Sequence, residues 1–145
     1  YITPGDKIKV VDFDFARIGL SICFDLRYPL LFKELSKKNA QIIVLPTAWV
    51  VLSEIYKDEK ALGFAKDTFN SLVKVRSYDN GVYFVVSNIC GEINNKIASF
   101  GSSCIVSPMS EILKQAKNEE CAIYCDIDIS LVDYYRKIYP IAQID

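Results

Sequence analysis

Apolar and polar residues alternate along residues 8–15, with Ile8 and Val10 and then Phe13 and Phe15 on the apolar side, the period of a half-buried strand. Residues 18–23 are more continuously apolar, as an inner strand is, and the two stretches predict neighbouring strands joined at Ala16 and Arg17. Pro29 suits the first turn of a helix whose Leu31, Phe32 and Leu35 share one face. Lys37 and Lys38 suit its C-terminal end, and Asn39 can stop it. Residues 42–45 are short and β-branched, which predicts a fully buried strand, so that a helix crosses over between strands of one sheet.

The charged residues 51–66 fit neither period. From Asp67 onward Phe69, Leu72, Val73 and Arg76 follow helical spacing until Asn80 and Gly81, and "VYFVVSN" (residues 82–88) is again a strand. After Cys90 the β pieces become shorter: "CIVSP" (104–108) and "CAIYCDID" (121–128) are the clearest strands, with turns at Asn94-Asn95 and at 108–110. Ser130 with Asp133 forms a capping-box pattern opening a last helix, with Leu131, Tyr134, Tyr135 and Ile138 on one face before Pro140. The fold class read from these patterns is α/β.

Composition narrows the functional classes. The chain has 145 residues, 51% hydrophobic and 24% charged, with 5 Pro and 6 Gly, which fits an ordered domain able to bury a core. Net charge is −1, and the lysines alternate with acidic residues instead of forming a basic stripe, so no nucleic-acid partner is expected. The longest apolar stretch, residues 42–52, is broken by Pro46 and Thr47 and falls short of the roughly 20 residues a membrane span needs, so no membrane partner is expected either. Five scattered cysteines, Cys23, Cys90, Cys104, Cys121 and Cys125, fit free thiols in a reducing, cytoplasmic setting. Their spacing is not that of a zinc ribbon, and neither metal nor cofactor is expected. The sole methionine is Met109 and the chain opens at Tyr1, which suggests a piece of a longer protein.

The candidate chemistry lies in "SICFDLRYP", residues 21–29. A thiol at the C-terminal end of a strand, on the turn into a helix, sits where open α/β sheets keep their ligands. A helix N-terminus there offers backbone N–H groups that can hold an oxyanion. Read from position alone, Cys23 is as well explained as one more small buried hydrophobe. The chain has no histidine, which removes Cys-His pairs, Ser-His-Asp triads and most zinc sites within it. Any base must then be a carboxylate or an amine; a Cys nucleophile with a Glu base and a Lys for the oxyanion is an allowed arrangement.

The stretch "GLSICFDLRYP" resembles the nucleophile motif of the nitrilase, or carbon-nitrogen hydrolase, superfamily. "ITPGD", "IIVLPTAW", "KVRSYDNGVYFVVSN" and "GSSCIVSPMSEIL" resemble further segments of that family in the same order, so the resemblance covers nearly the whole chain. It implies an α-β-β-α sandwich of which residues 1–145 are a partial hydrolase domain, the C-terminal part, with the N-terminal half absent. It implies that Cys23 is the nucleophile and that the backbone N–H of Phe24 faces the oxyanion. Asp25 and Arg27 fix the turn, and Thr47, Ala48 and Trp49 line the substrate pocket. Arg76 and Asn80 match polar positions of the family; an ordinary helix salt bridge and a C-cap explain them equally well.

The implied activity is hydrolysis of non-peptide C–N bonds, amidase-type, on a small amide or carbamoyl substrate through a cysteine thioester, in a homodimer or higher homo-oligomer without a cofactor. The family's Glu base and Lys lie N-terminal to its nucleophile, so this chain alone is expected to be inactive. Two departures from the motif are Leu30, where Glu is usual after the proline, and Ser102, where His is usual. Two alternatives stay open: a non-catalytic or divergent binding and packing module lacking the Glu and Lys, and a redox-sensing thiol at Cys23.

Overall fold

A hairpin, a crossover helix and a second crossover build the central sheet. A computed structural model describes residue 3 and residues 5–140; Ile2 and Pro4 of the "ITPGD" segment lie outside the described residues. Strand β1 (Val10–Asp12) pairs antiparallel with β2 (Arg17–Leu20), helix α1 (Pro29–Lys37) crosses over, and β3 (Ile42–Thr47) lies parallel to β2. After β4 (Val50–Leu52) and the short helix α2 (Ser53–Lys57), the long helix α3 (Glu59–Asn80) returns the chain to β5 (Tyr83–Asn88), parallel to β3. Strands β6 (Cys90–Glu92) and β7 (Ile97–Phe100) form a small antiparallel sheet with β4, while β8 (Cys104–Val106) and β9 (Ile112–Gln115) complete the large one. Its order is β1-β2-β3-β5-β8-β9, and helix α4 (Ser130–Ile138) closes the described chain.

Alternation along the strands separates the two faces of the large sheet. Ile43, Leu45, Phe84, Val86 and Val106 pack with Phe32 and Leu35 of α1 and Phe69 and Val73 of α3. Gly19 permits this approach, because a Cβ there would meet Leu35 and Ala40 at 3.1 Å. On the opposite face Ile42 and Tyr83 pack with Ile127, Ile129, Leu131 and Val132. That cover reaches only part of the face: Val11, Leu20 and Ile22 are 40, 45 and 63% exposed.

Several elements differ from the sequence pattern for identifiable reasons. The first strand stops at Asp12, because a Phe13 N–H to Ala16 C=O bond turns the chain; Phe13 and Phe15 stack on each other in solvent. Strand β3 continues through Pro46: the side on which proline lacks a donor faces the place where β2 has already ended, its last ladder partner being Leu20 opposite Val44. Helix α3 begins at Glu59, eight residues before the rhythm read from Asp67, with the Asp58 carboxylate accepting from Ala61 N–H as its N-cap; Leu62 and Ala65 of its first turns pack against the core, while Gly63 and the exposed Phe64 between them blur that spacing in the sequence.

Residues 121–128 form no strand. Their alternation is real, since residues 123, 125, 127 and 129 are each half-buried, but the segment lies across the sheet without a ladder partner, tied by Tyr83 Oη donating to the Asp128 carbonyl. The cap of α4 is likewise shifted: the Asp128 carboxylate accepts from both the N–H and the hydroxyl of Ser130, in place of a Ser130–Asp133 box. The buried face of that helix is Leu131, Val132 and Tyr135, whereas Tyr134 and Ile138 are exposed.

Candidate active site

The end of β2 sets the position of the thiol. Ser21 donates both its N–H and its hydroxyl to the Val44 carbonyl, fixing the strand end to β3. Ile22 is extended, and Cys23 then takes φ +46, a left-handed conformation that costs a non-glycine residue on the order of 1–2 kcal/mol. Such a conformation persists where surrounding contacts over-determine it. Here the Asp25 carboxylate accepts from Ile22 N–H at 2.8 Å, Asp25 N–H donates to the Ile22 carbonyl, and Leu26 is fully buried. The chain from Cys23 to Arg27 is a short 3-10 segment, so the α-helix starts only at Pro29 and not at the thiol. Cys23 is half-buried, with Sγ 4.0 Å from the carbonyl oxygen of Ala48.

That carbonyl belongs to the loop after β3. Trp49 N–H donates to Asn88 Oδ1 at 2.8 Å, and Asn88 Nδ2 donates to the Gly101 carbonyl at 2.6 Å. The Ser99 hydroxyl lies 2.8 Å from the Trp49 carbonyl and 2.7 Å from that of Ile89. The Trp49 ring packs on Phe69, and the Arg27 guanidinium stands 4.8 Å from the Trp49 ring centroid and 5.4 Å from that of Phe24. The Thr47 hydroxyl oxygen is buried with no hydrogen-bond partner among the described residues. Cys23, Phe24, Asp25, Arg27, Thr47, Ala48 and Trp49 thus form one cluster at the C-terminal ends of two parallel strands. An open groove bordered by Lys7, Ile8, Leu20, Ile22, Asp25 and Pro46 runs beside it.

Arg76 and Asn80 form neither the ordinary helix salt bridge nor the C-cap that their spacing also allowed. Arg76 is 8% exposed and donates Nε–H to the Leu26 carbonyl, while burial pulls its guanidinium below its usual range and Asp79 opposes that shift. Asn80 is the last helical residue; Gly81, at φ +55, is the cap, and Asn80 instead donates Nδ2–H to the Arg76 carbonyl and accepts the Ser36 hydroxyl on its own carbonyl. Of the two departures, Leu30 is exposed, and Ser102 is buried at φ +64. Asn88 closes the stretch "KVRSYDNGVYFVVSN" and Ser99 lies outside the segments that resemble the family; neither is a candidate from the sequence, where the signal available was an amide ending an apolar strand.

The remaining thiols stand apart: Cys104 is fully buried and Cys121 exposed. Among the described residues no three His, Cys, Asp or Glu side chains are grouped to hold a metal ion, and no helix is long and apolar enough to cross a membrane.

Comparison with known proteins places these features in context. The profile of one protein family, Carbon-nitrogen hydrolase, matches residues 1–137. The omega-amidase of Xenopus tropicalis is 29% identical over 142 residues, which are 98% of this chain and 48% of that protein. The deaminated glutathione amidase of Dictyostelium discoideum is 29% identical over 141 residues, 97% of this chain and 45% of its own length. Among solved structures, a carbon-nitrogen hydrolase from Helicobacter pylori matches with a TM-score of 0.88 at 25% identity, over 99% of this chain and 51% of that one. The chain spans about half the length of the curated relatives it matches.

Proposed function

The chain belongs to the carbon-nitrogen hydrolase family and has a nitrilase-like α/β fold, and on that premise we propose that it forms part of an amidase-type hydrolase with Cys23 as nucleophile. The substrate is a small amide or carbamoyl compound, in keeping with the amidase names of the relatives. The Cys23 thiolate attacks the amide carbonyl carbon, the C–N bond breaks, and the amine leaves with a proton. Water then attacks the thioester, releasing the acid and restoring the thiol. The backbone N–H of Phe24 faces the oxyanion, Asp25 and Arg27 hold the turn, and Thr47, Ala48 and Trp49 border the acyl group.

Residues 1–145 are the C-terminal part of the hydrolase domain in this reading. The Glu base and the Lys come from chain outside them, as expected for a chain half as long as its relatives. The whole protein works in the cytoplasm as a homodimer or larger homo-oligomer. The observation that carries the reading is the left-handed Cys23 at the end of a parallel strand, its thiol turned to the Ala48 loop. The test is ammonia release from small primary amides by the complete protein and by Cys23→Ala. Loss of at least about 10³-fold in kcat is expected, the scale on which removal of a nucleophile acts; undiminished release by Cys23→Ala overturns it.

A further inference from the structure

Arg76 is a buried cation whose contacts lead to the turn that carries Cys23. Its Nε–H donates to the Leu26 carbonyl at 3.1 Å, and its guanidinium lies 5.9 Å from the centroid of the Phe32 ring. Leu26 stands three residues beyond Cys23 in the same 3-10 segment, and hydrogen bonds within 3-10 structure have poorer geometry than those of an α-helix. A buried carbonyl there needs a donor, but a desolvated guanidinium is a costly way to supply one N–H. What arginine adds is a planar donor mounted on a 22-residue helix that packs against α1 and the sheet. Upstream, the turn is tied by Ser21 to Val44 and by Asp25 to Ile22. The Arg76 bond ties it from the downstream side, across fifty residues of sequence.

We propose that Arg76 is a positioning residue for Cys23: by holding the Leu26 carbonyl it keeps the 3-10 segment closed and Cys23 in the left-handed conformation that directs its thiol at the Ala48 loop. The inference rests on the proposed nucleophilic role of Cys23. Its readout, however, is the reactivity of the thiol itself, which can be measured whether or not the protein proves to be an amidase.

Two uncharged variants of equal length separate the hydrogen bond from charge and bulk. In Arg76→Gln the amide nitrogen occupies the chain position of Nε and can donate to Leu26. In Arg76→Met a methyl group occupies it and cannot. In the complete protein, Cys23 alkylation by iodoacetamide is followed by mass spectrometry across pH, with Cys90 as internal reference and thermal midpoints recorded in parallel. Since a misplacement of about 1 Å can cost on the order of 10²-fold, Arg76→Met is expected to change the Cys23-to-Cys90 ratio and lower kcat by about tenfold or more, with KM within about twofold. Arg76→Gln stays within about threefold of the parent, and Val73→Ala, a destabilising change on the same helix, leaves the ratio unaltered. If Arg76→Met does not fold, Arg76→Leu, which also carries no donor, replaces it. Equal behaviour of the Gln and donor-free variants, or a ratio that follows the thermal midpoint through Val73→Ala, overturns the proposal.

Discussion

The Arg27 guanidinium stacks over the Trp49 ring at 4.8 Å and so joins the turn carrying Cys23 to the loop after β3. Beneath that loop, Asn88 accepts the Trp49 N–H, so the ring rests on a fixed backbone while the cation above it belongs to the neighbouring strand end. The two sides of the site are held in register by a contact that neither motif implies by itself.

Replacing Arg27 with Lys keeps the charge and loses the planar stack. Cation–π contacts at exposed positions contribute about 0.5–1 kcal/mol, which corresponds to about a twofold to fivefold fall in kcat/KM of the complete protein. Trp49 is the sole tryptophan of residues 1–145, so the difference in emission between the parent and Arg27→Lys reports the loss. Unchanged emission and unchanged kcat/KM in Arg27→Lys would show that the stack does not couple the two segments.

Burial pushes the Cys104 thiol from an ordinary 9.0 up to about 12. A thiol held protonated in the folded state adds stability that is full below pH 9. That stability declines as pH rises through the interval from 9 to about 12, because the unfolded chain ionises first. The decline is up to about 1.4 kcal/mol per pH unit, and Cys104→Ala should remove it. Denaturant titrations of parent and variant at a series of pH values above 9 measure the difference; parallel slopes contradict the assignment.

Residues 1–145 alone should associate. Val11, Leu20 and Ile22 expose a continuous part of the sheet face that the segment around Ile127 and Leu131 does not reach, and apolar patches of that kind are usually covered. Sedimentation of the isolated chain is expected to show oligomers or aggregation, reduced by Leu20→Lys with Ile22→Lys. A compact, cooperatively unfolding monomer would argue for a self-sufficient module instead of part of a sandwich.

The sequence was informative where local chemistry and tertiary packing agree. Pro29 opens α1, Gly81 caps α3 in the left-handed region, and residues 42–45 and 83–88 lie in adjacent parallel strands, because each of these positions is strongly constrained locally. The motif around Cys23 meets the loop of Ala48 and Trp49 in space. The start of α3 was illegible because Gly63 and the exposed Phe64 interrupt the spacing of Leu62 and Ala65, the residues that pack on the core. Residues 121–128 misled because alternation reports burial of one side and says nothing about hydrogen-bonded neighbours. Arg76 read equally well as a salt-bridge former; its bond to a backbone carbonyl 50 residues away leaves no trace in local spacing.

The central claim is that Cys23 forms a thioester with the acyl part of a small amide. Rapid acid quench of the complete protein during turnover, followed by digestion and mass spectrometry, tests it most directly. The account predicts the acyl mass on the peptide containing Cys23, removed by hydroxylamine and absent in Cys23→Ala. Continued turnover with that peptide unmodified, or with the acyl group on another residue, would contradict it.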